Sequence, residues 1–260
     1  MPEIPELNVL AKIIERKFRG QKVDRLEINW VKKLNAPKEE YQAAVTGQVL
    51  QSVSRAGKEL CLNFKNRNVL SIHLMIIGTI DLLPVDKPAK YSIFDLWFDN
   101  DEGISVGDSF GQAKLSLNPK QSHVPEVLTE SFTMEYLTGL LKDSFSVIKL
   151  ILLDQKRVVG LGNASVDEIL YASRISPLSV SKYIPLEKVQ ELYENIQRTM
   201  DFQESILLSS GSIEETFKMK DKSHRLIHNP TITHTEEGEE IVREKLNGRM
   251  TYHTASQIKY

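Results

Sequence analysis

The sequence contains one cysteine, Cys61, among 260 residues. A single thiol excludes an intramolecular disulfide and any zinc site built on several cysteines, and it fits a reducing cytoplasm. An excess of charge of one sign is also lacking, because 33 basic and 35 acidic side chains give a net charge of −2. Total charge therefore predicts no nucleic-acid partner. A DNA-binding surface would need its basic residues gathered on one face.

Long hydrophobic runs are missing as well. The longest apolar stretch, residues 69–83, is interrupted by His73 and Asp81 and is too short and too polar to span a bilayer. The N-terminus carries two acids and two prolines without a basic region, so no secretory signal is expected. With 41% hydrophobic and 26% charged residues, the composition is typical of a soluble globular protein with no membrane association.

Apolar periodicity predicts an N-terminal helix followed by a strand-rich domain. Residues 5–19 repeat apolar side chains at helical spacing and end at Gly20. Short apolar runs at roughly 8–12-residue spacing then predict an antiparallel sandwich or barrel up to residue 118. The predicted strands are 23–28, 49–53, 60–64, 69–74, 93–98 and 114–117.

Residues 119–130 are predicted to form a linker, after which helical periodicity returns. The predicted helices are 131–142, 146–155, 164–173, 186–204 and 212–219. In the tail, strand-like runs at 231–234 and 249–253 flank the acidic stretch 236–240, which is the predicted turn. The expected domains are 1–118, 131–230 and a terminal hairpin at 231–260.

The start Met-Pro-Glu places a proline where removal of Met1 would free a secondary amine. An α-amino group has a pKa of about 8, so part of it is unprotonated at neutral pH and can attack a sugar carbon to form an iminium. Glu3 beside Pro2 is suited to proton transfer. The same residues suit a plain helix entry, with proline and acids in the first turn. On these residues alone, helix entry is the favoured interpretation.

A second motif lies at residues 152–170, where one predicted helix ends in a Gly-Leu-Gly turn and another begins. Gly160 and Gly162 allow close backbone approach, and Asn163 stands at the expected N-cap. Exposed amides at a helix N-terminus can bind phosphate. An ordinary helical corner capped by Asn163 is equally compatible with this spacing.

Together the two motifs resemble the formamidopyrimidine-DNA glycosylase / endonuclease VIII family of base-excision repair enzymes. That family begins Met-Pro-Glu-Leu-Pro-Glu, and its helix–two-turns–helix motif contains Leu-Asp-Gln, Val-x-Gly-Ile-Gly-Asn and Asp-Glu-Ile-Leu. Further matches follow in the family's order up to about residue 257. They are Arg55-Ala56-Gly57-Lys58-Glu59-Leu60, Ile72-His73-Leu74 with Gly78, Phe110-Gly111 and Asn247-Gly248-Arg249-Met250-Thr251-Tyr252.

The resemblance implies an α+β fold: an N-terminal helix with an antiparallel β-sandwich domain, a helical domain with the helix–two-turns–helix motif, and a terminal β-hairpin. It implies a base-excision-repair DNA glycosylase with lyase activity at abasic sites, acting through an N-terminal proline Schiff base. The implied partner is damaged or abasic DNA, duplex or single-stranded, and no cofactor is expected. A monomer is expected, in the bacterial cytoplasm at the nucleoid or in a eukaryotic nucleus.

The resemblance also assigns roles to individual residues. Pro2 would be the nucleophile, Glu3 the acid/base that opens the sugar ring, and Glu6 would position the terminus. The residues implied to hold phosphates around an everted nucleotide are Lys58, His73, Asn163 and Arg249, of which Lys58 is also counted with the catalytic group. Taken singly, Lys58 and Arg249 also suit solvated surface positions, and His73 suits the interior of a strand.

The tail departs from the family pattern. Most relatives end in a zinc finger with four cysteines, whereas here Thr254 and Gln257 stand near the positions of the last pair. The tail therefore resembles the zincless finger of some members, and no metal site is expected. The histidines of this region are His224, His228 and His234. Pro230 separates them, and no acid or cysteine is well placed to complete a metal site with them.

The residues that fill the space left by an everted base also depart from the family. In ungapped alignment Ile76 takes the place of a methionine wedge and Met75 that of a glycine. The family's second wedge motif is Arg-Arg-Phe-Gly. Phe110 keeps the motif's phenylalanine, but Asp108 and Ser109 stand in place of the two arginines. An acid at this place would repel a phosphate. These changes leave an alternative function open: a catalytically weak or inactive damaged-DNA-binding protein that retains the fold.

Overall fold

The computed structural model describes residues 2–84, 91–120, 122–210 and 222–260. The described residues form two compact units, one built from residues up to 120 with 207–210, the other from 122–206 with 222–260. The helices are α1 (Ile4–Phe18), α2 (Lys38–Val45), α3 (Met134–Lys142), α4 (Ile148–Leu153), α5 (Asn163–Ala172) and α6 (Leu186–Ser210). The strands are β1 (Val23–Ile28), β2 (Leu50–Ala56), β3 (Glu59–Phe64), β4 (Val69–His73), β5 (Thr79–Leu83), β6 (Ser92–Phe98), β7 (Gly103–Gly107), β8 (Lys114–Leu117), β9 (Val242–Leu246) and β10 (Arg249–His253).

The first unit is an antiparallel β-sandwich, as expected. Its two four-stranded sheets have the orders β1-β6-β7-β5 and β2-β3-β4-β8, and their buried side chains belong to one hydrophobic cluster. Helix α1 adds Leu7, Leu10, Ile14 and Phe18 to that cluster, and each is fully buried. Burying side chains of this size stabilises the fold by about 1.5–3 kcal/mol each. The packed face of α1 therefore fixes the N-terminal residues against the sandwich.

Two strands and one helix of this unit were not predicted. Strand β7 is buried at each of its five positions, so the alternation that reveals a half-buried strand is absent. Gly103 at its start lies against β6, where an added Cβ would stand 2.1 Å from the carbonyl oxygen of Leu96. Strand β5 lies inside the apolar stretch 69–83, which also holds β4 and shows no clear break between the two strands. Helix α2 buries only Tyr41 and Val45. One apolar pair at i, i+4 is too short a pattern to predict a helix.

The second unit is helical with a terminal hairpin. The predicted helices 131–142, 146–155 and 164–173 correspond to α3, α4 and α5, while α6 continues six residues beyond the predicted 204, to Ser210. The prediction of a helix at 212–219 lies outside the described residues. Among the residues that the structure describes, no helix combines the length and apolar character needed to cross a membrane.

The predicted pairing of the tail is wrong. Strand β10 pairs antiparallel with β9, not with residues 231–234. The connecting turn is Asn247-Gly248, whose φ values are +48° and +77°. A two-residue Asn-Gly loop suits the right-handed twist of a hairpin because both residues tolerate positive φ. The acidic stretch 236–240 forms its own turn before β9, closed by a bridge between His234 and Glu240.

Candidate active site

The start of α1 holds two carboxylates beside Pro2. Glu3 is the N-cap of the helix, and Glu3 and Glu6 form a reciprocal capping box. The amide of Glu3 donates to Oε2 of Glu6 at 3.0 Å, and both glutamates are only 4% exposed. Pro2 precedes them and is half-buried. The helix entry predicted from these residues is therefore present, and it fixes the two acids next to the candidate nucleophile.

Arg55 connects this helix to the turn that carries Lys58. Its Nε donates to Oδ1 of Asn8 on α1 at 2.9 Å, and its Nη1 donates to the carbonyl of Gly57 at 2.7 Å. Gly57 has a φ of +56°, which glycine adopts without strain, and Lys58 follows it at the tip between β2 and β3. Sequence reasoning missed this positioning role of Arg55, although Arg55 stands in the motif quoted for Lys58.

His73 ends β4 and is half-buried. Its Nδ1 accepts the amide of Met75 at 2.9 Å, which leaves Nε2 to carry the proton of the neutral ring. Burial lowers the pKa of His73, the positive charges of Lys114 and Lys58 lower it further, and Glu59 opposes them. His73 can therefore offer one neutral N–H donor to a phosphate oxygen. Among the described residues, only one of its two ring nitrogens has a partner, unlike in a histidine that is fully hydrogen-bonded in the core.

The turn after His73 presents two isoleucines to solvent. Met75, in the place of the family's glycine, has a φ of +53°, a conformation that glycine adopts more readily. The amide of Gly78 donates to the carbonyl of Leu74 at 2.9 Å, and a Cβ at Gly78 would lie 2.3 Å from that oxygen. At the tip, Ile76 is 62% exposed beside Ile77. The turn therefore holds an apolar tip out of the sandwich.

Asp108 does not lie as the sequence led us to expect. Its side chain is only 4% exposed and accepts the backbone amides of Phe110 at 2.8 Å, Gln112 at 2.9 Å and Ala113 at 2.7 Å. The carboxylate is hydrogen-bonded within its own 108–113 loop and is turned away from solvent. Phe110 at the tip is 67% exposed. Asp108 therefore shapes the loop that presents the candidate wedge.

Trp30 supports the same loop from its other side. Its Nε1 donates to the carbonyl of Gly111 at 3.2 Å. Gly111 has a φ of +60°, and a Cβ there would stand 3.0 Å from the indole ring. A side chain at this position would strain the backbone and crowd the indole ring.

We expect Asp108→Ala to destabilise the first unit by about 2–3 kcal/mol, because it leaves loop amides without their acceptor. Denaturant unfolding at equilibrium would measure this change. The matched control is Ser109→Ala, a change at the exposed neighbour, which should stay within about 0.5 kcal/mol of the parent. Equal stability of both variants would contradict the role given to the Asp108 carboxylate.

In the second unit, Asn163 is not the N-cap that the sequence predicted. Gly162 holds that position with extended backbone, and Asn163 is the first residue of α5. Its Nδ2 donates to the carbonyl of Met250 at 2.8 Å, and its Oδ1 is buried with no hydrogen-bond partner in the described part of the chain. Asn163 is thus held against β10 beside Arg249, which is exposed.

A buried ionic network fixes β10 to α4 and α5. Nζ of Lys149 lies 2.6 Å from Oδ1 of Asp167 and donates to Oγ1 of Thr251 at 2.9 Å. Oδ2 of Asp167 bonds Nδ1 of His228 at 2.7 Å and accepts the amide of Tyr252 at 3.1 Å. Sequence reasoning missed this network, although a lone lysine in the apolar run of α4 was a usable signal. Buried charges persist only when paired in this way, so the network holds the strand of Arg249 in register.

The two turns of the tail are joined by hydrogen bonds. The amide of Thr254 donates to Oε1 of Gln257 at 2.8 Å, and the hydroxyls of Thr254 and Ser256 lie 2.9 Å apart. Ser256 donates to Oε2 of Glu239 at 2.8 Å, and the Glu239 amide donates to Oγ1 of Thr235 at 3.2 Å. Within the described ranges, no group of three or more His, Cys, Asp or Glu side chains is placed to hold a metal ion.

We expect strong chelators to change neither the melting temperature nor any DNA binding, because hydrogen bonds join the turns of this tail. Thermal unfolding and a binding assay, each with and without chelator, would measure both quantities. Loss of binding on chelation, restored by added zinc, would contradict this reading. It would direct attention to His224, His228 and His234.

The sequence was compared with protein families and with individual curated proteins. Two family models match: the formamidopyrimidine-DNA glycosylase N-terminal domain over residues 1–112 and the formamidopyrimidine-DNA glycosylase H2TH domain over residues 124–216. A formamidopyrimidine-DNA glycosylase of Protochlamydia amoebophila is 32% identical over 209 residues, covering 77% of this chain and 76% of the relative. One of Carboxydothermus hydrogenoformans is 30% identical over 208 residues with the same coverage.

The fold was compared with solved structures. The wild-type Lactococcus lactis protein, in complex with DNA containing N7-benzyl-Fapy-dG, superposes with a TM-score of 0.85 at 26% identity. The same species' protein in complex with DNA containing an abasic site gives a TM-score of 0.86 at 25% identity. Each comparison covers 99% of this chain and 100% of the other.

Proposed function

The chain belongs to the formamidopyrimidine-DNA glycosylase family, a family of base-excision repair enzymes, and from that membership we propose a two-step activity. The first step is removal of a damaged base from DNA, the glycosylase activity of the family. The second is cleavage of the strand at the resulting abasic site, through a Schiff base on Pro2. The observation that carries the second step is the start of α1, where a capping box fixes two buried carboxylates beside Pro2.

The chemistry at this terminus follows from the residue types. After removal of Met1, the free Pro2 nitrogen is a secondary amine with a lone pair available at neutral pH. It adds to C1′ of the sugar and displaces the base, or the hydroxyl of an abasic site. Cleavage of the C1′–O4′ bond, with a proton delivered to O4′, then leaves an iminium that links protein and DNA. We assign to the Glu3 carboxyl the transfer of protons to and from the opening ring. Glu6 holds the amide of Glu3 and so positions that carboxyl.

The DNA-binding residues of the proposal come from both units. Lys58 and His73 supply an ammonium and a neutral N–H in the first unit, and Asn163 and Arg249 supply an amide and a guanidinium in the second. A base stacked in a duplex hides its glycosidic carbon, so the nucleotide must be everted. Contacts to flanking phosphates hold the distorted backbone, and Ile76 and Phe110 are the exposed apolar side chains proposed to fill the space left behind.

A catalytically inactive binder is not the favoured reading. The altered wedges motivated it, but Asp108 is turned into its own loop and Phe110 still points to solvent. A protein that only bound DNA would need neither a nucleophile nor a buried acid beside it.

The proposal is tested with duplexes that contain a formamidopyrimidine lesion or an abasic site. Strand scission of both substrates without alkali is the expected result. Scission of the lesion duplex only after hot alkali would mean base removal without lyase activity. Binding without any product on either substrate would support the inactive binder.

We expect Arg249→Ala to weaken binding to all DNA sequences to a similar extent, because an arginine–phosphate contact carries no sequence information. The slope of log affinity against log salt should become shallower by roughly 0.7–0.9 unit, the value for one released counterion. Asn163→Ala removes an uncharged donor, so it should lower affinity with little change in that slope. Fluorescence anisotropy over a salt series would measure both. An unchanged slope in Arg249→Ala would show that this side chain does not contact a phosphate.

A further inference from the structure

Lys114 begins β8 and lies directly across from His73 of β4 in the antiparallel register. Side chains at such a pair project from the same face of the sheet, with Cβ atoms about 4.5–5.5 Å apart. Lys114 is exposed, and within the described ranges no acidic side chain forms an ion pair with it. A flexible ammonium is therefore available within reach of any anion that the His73 ring contacts.

The acid nearest to this pair is already engaged. Glu59 stands on the other side of His73, one residue beyond the pairing of Leu60 with Ile72. Its carboxylate accepts a hydrogen bond from the hydroxyl of Ser71. The row across the three strands is therefore Glu59, His73 and Lys114, with His73 on the central strand.

The electrostatics around His73 show that this ammonium is close enough to act on it. Among the neighbouring charges, Glu59 has the largest effect and raises the pKa of His73, while Lys114 and then Lys58 lower it. Each of the two cations attracts an anion to this point, and Glu59 opposes them. A phosphate that accepts from Nε2 of the neutral His73 ring would be attracted by the Lys114 ammonium across the strand pair.

The position of Lys114 along the chain also supports a role in binding an anion. The 108–113 loop carries Asp108 and Ser109 where the family pattern has two arginines, so its tip has no cation. Lys114 is the residue that follows this loop. Lys114 therefore places a positive charge at the start of β8, directly after the loop that lacks one.

We propose that Lys114 is a DNA-binding residue of this protein, which holds with His73 a single backbone phosphate of the bound strand. The inference rests on the proposed function, since it requires DNA at this face of the first unit. It adds a phosphate ligand to the four residues discussed above. It also accounts for binding by a chain that lacks the arginines of the wedge loop.

The test compares three variants on a duplex that carries a stable abasic-site analogue, by fluorescence anisotropy from about 50 to 200 mM salt. Lys114→Gln should raise Kd about fivefold near 0.15 M salt and make the log–log slope shallower by about 0.9, the loss of one counterion. Lys114→Arg should restore the slope. The matched control is Lys65→Gln, an exposed lysine at the far end of β3, which should leave slope and affinity unchanged.

A second readout separates contact from indirect damage. In the free protein, Lys114→Gln should raise the pKa of His73 followed by NMR, because one of its facing cations is removed while Lys58 and Glu59 remain. An unchanged His73 titration, or a salt slope equal to that of the parent, would overturn the role of Lys114. If the parent cleaves abasic DNA while the slope is unaffected, only this inference fails. If the parent neither binds nor cleaves, the proposed function fails with it.

Discussion

Borohydride is expected to trap a covalent complex between this protein and an abasic-site oligonucleotide when the chain begins at Pro2, and none when the N-terminus is blocked. The iminium between the Pro2 nitrogen and C1′ is reduced to a stable amine, which survives denaturing electrophoresis. A retained Met1 converts the Pro2 nitrogen into a tertiary amide without a basic lone pair. We expect trapping to fall at least about a hundredfold in the blocked protein, as befits loss of a covalent nucleophile.

Intact mass of each preparation shows which terminus is present, so the comparison does not depend on assumed processing. Pro2→Gly is a weaker control, because an N-terminal glycine offers a primary amine, which can form a Schiff base as well. Equal melting temperatures of blocked and free protein would show that the capping box at Glu3 survives the block. Robust trapping by protein with Met1 in place would contradict the assignment and would indicate a lysine, first of all Lys58.

Much of the fold could be predicted because its elements follow simple periodicities. Strands β1 and β8 have the bounds expected from their apolar runs, and α1 is shifted by only one residue from its prediction. Strand β7 could not be found in this way because every one of its side chains is buried. The hairpin partner of β10 was misassigned because the charged run of β9, Val-Arg-Glu-Lys-Leu, has little apolar signal. The Asn-Gly dipeptide between β9 and β10 was the stronger cue.

The candidate site was predictable in its residue types and less so in its geometry. Pro2, Glu3 and Glu6 could be placed together because they lie within five residues at the start of one predicted helix. Asn163 was expected to cap α5, but its amide reaches a carbonyl of β10, a partner 87 residues away that no local pattern reveals. Asp108 was read as a charge facing DNA, whereas its carboxylate accepts three amides that follow it in the chain. Long-range packing and side-chain direction determine the partners of Asn163 and Asp108, and the spacing of residues in the sequence reveals neither.

Glu3→Gln is expected to lower base excision by about 10²–10⁴-fold, the range of a positioned acid/base group, while DNA affinity stays within about threefold. Glutamine keeps an acceptor oxygen for the amide of Glu6, so the capping box and the helix start should persist. What it loses is the ability to give and take a proton. Single-turnover excision of a formamidopyrimidine lesion and anisotropy on an uncleavable duplex would measure the two quantities.

Glu6→Gln is the matched control, because it makes the same chemical change at the other buried acid of the capping box. Glu6 is assigned to holding the amide of Glu3 and not to proton transfer, and a glutamine oxygen can still accept that amide at a similar distance. Its excision rate should therefore fall by less than about tenfold. On a preformed abasic site, Glu3→Gln should still give the borohydride complex, since the Pro2 amine is intact and the sugar of an abasic site opens to its aldehyde without the enzyme. Undiminished excision by Glu3→Gln, or equal losses in both variants, would remove Glu3 from the proton-transfer step and leave it as a structural cap.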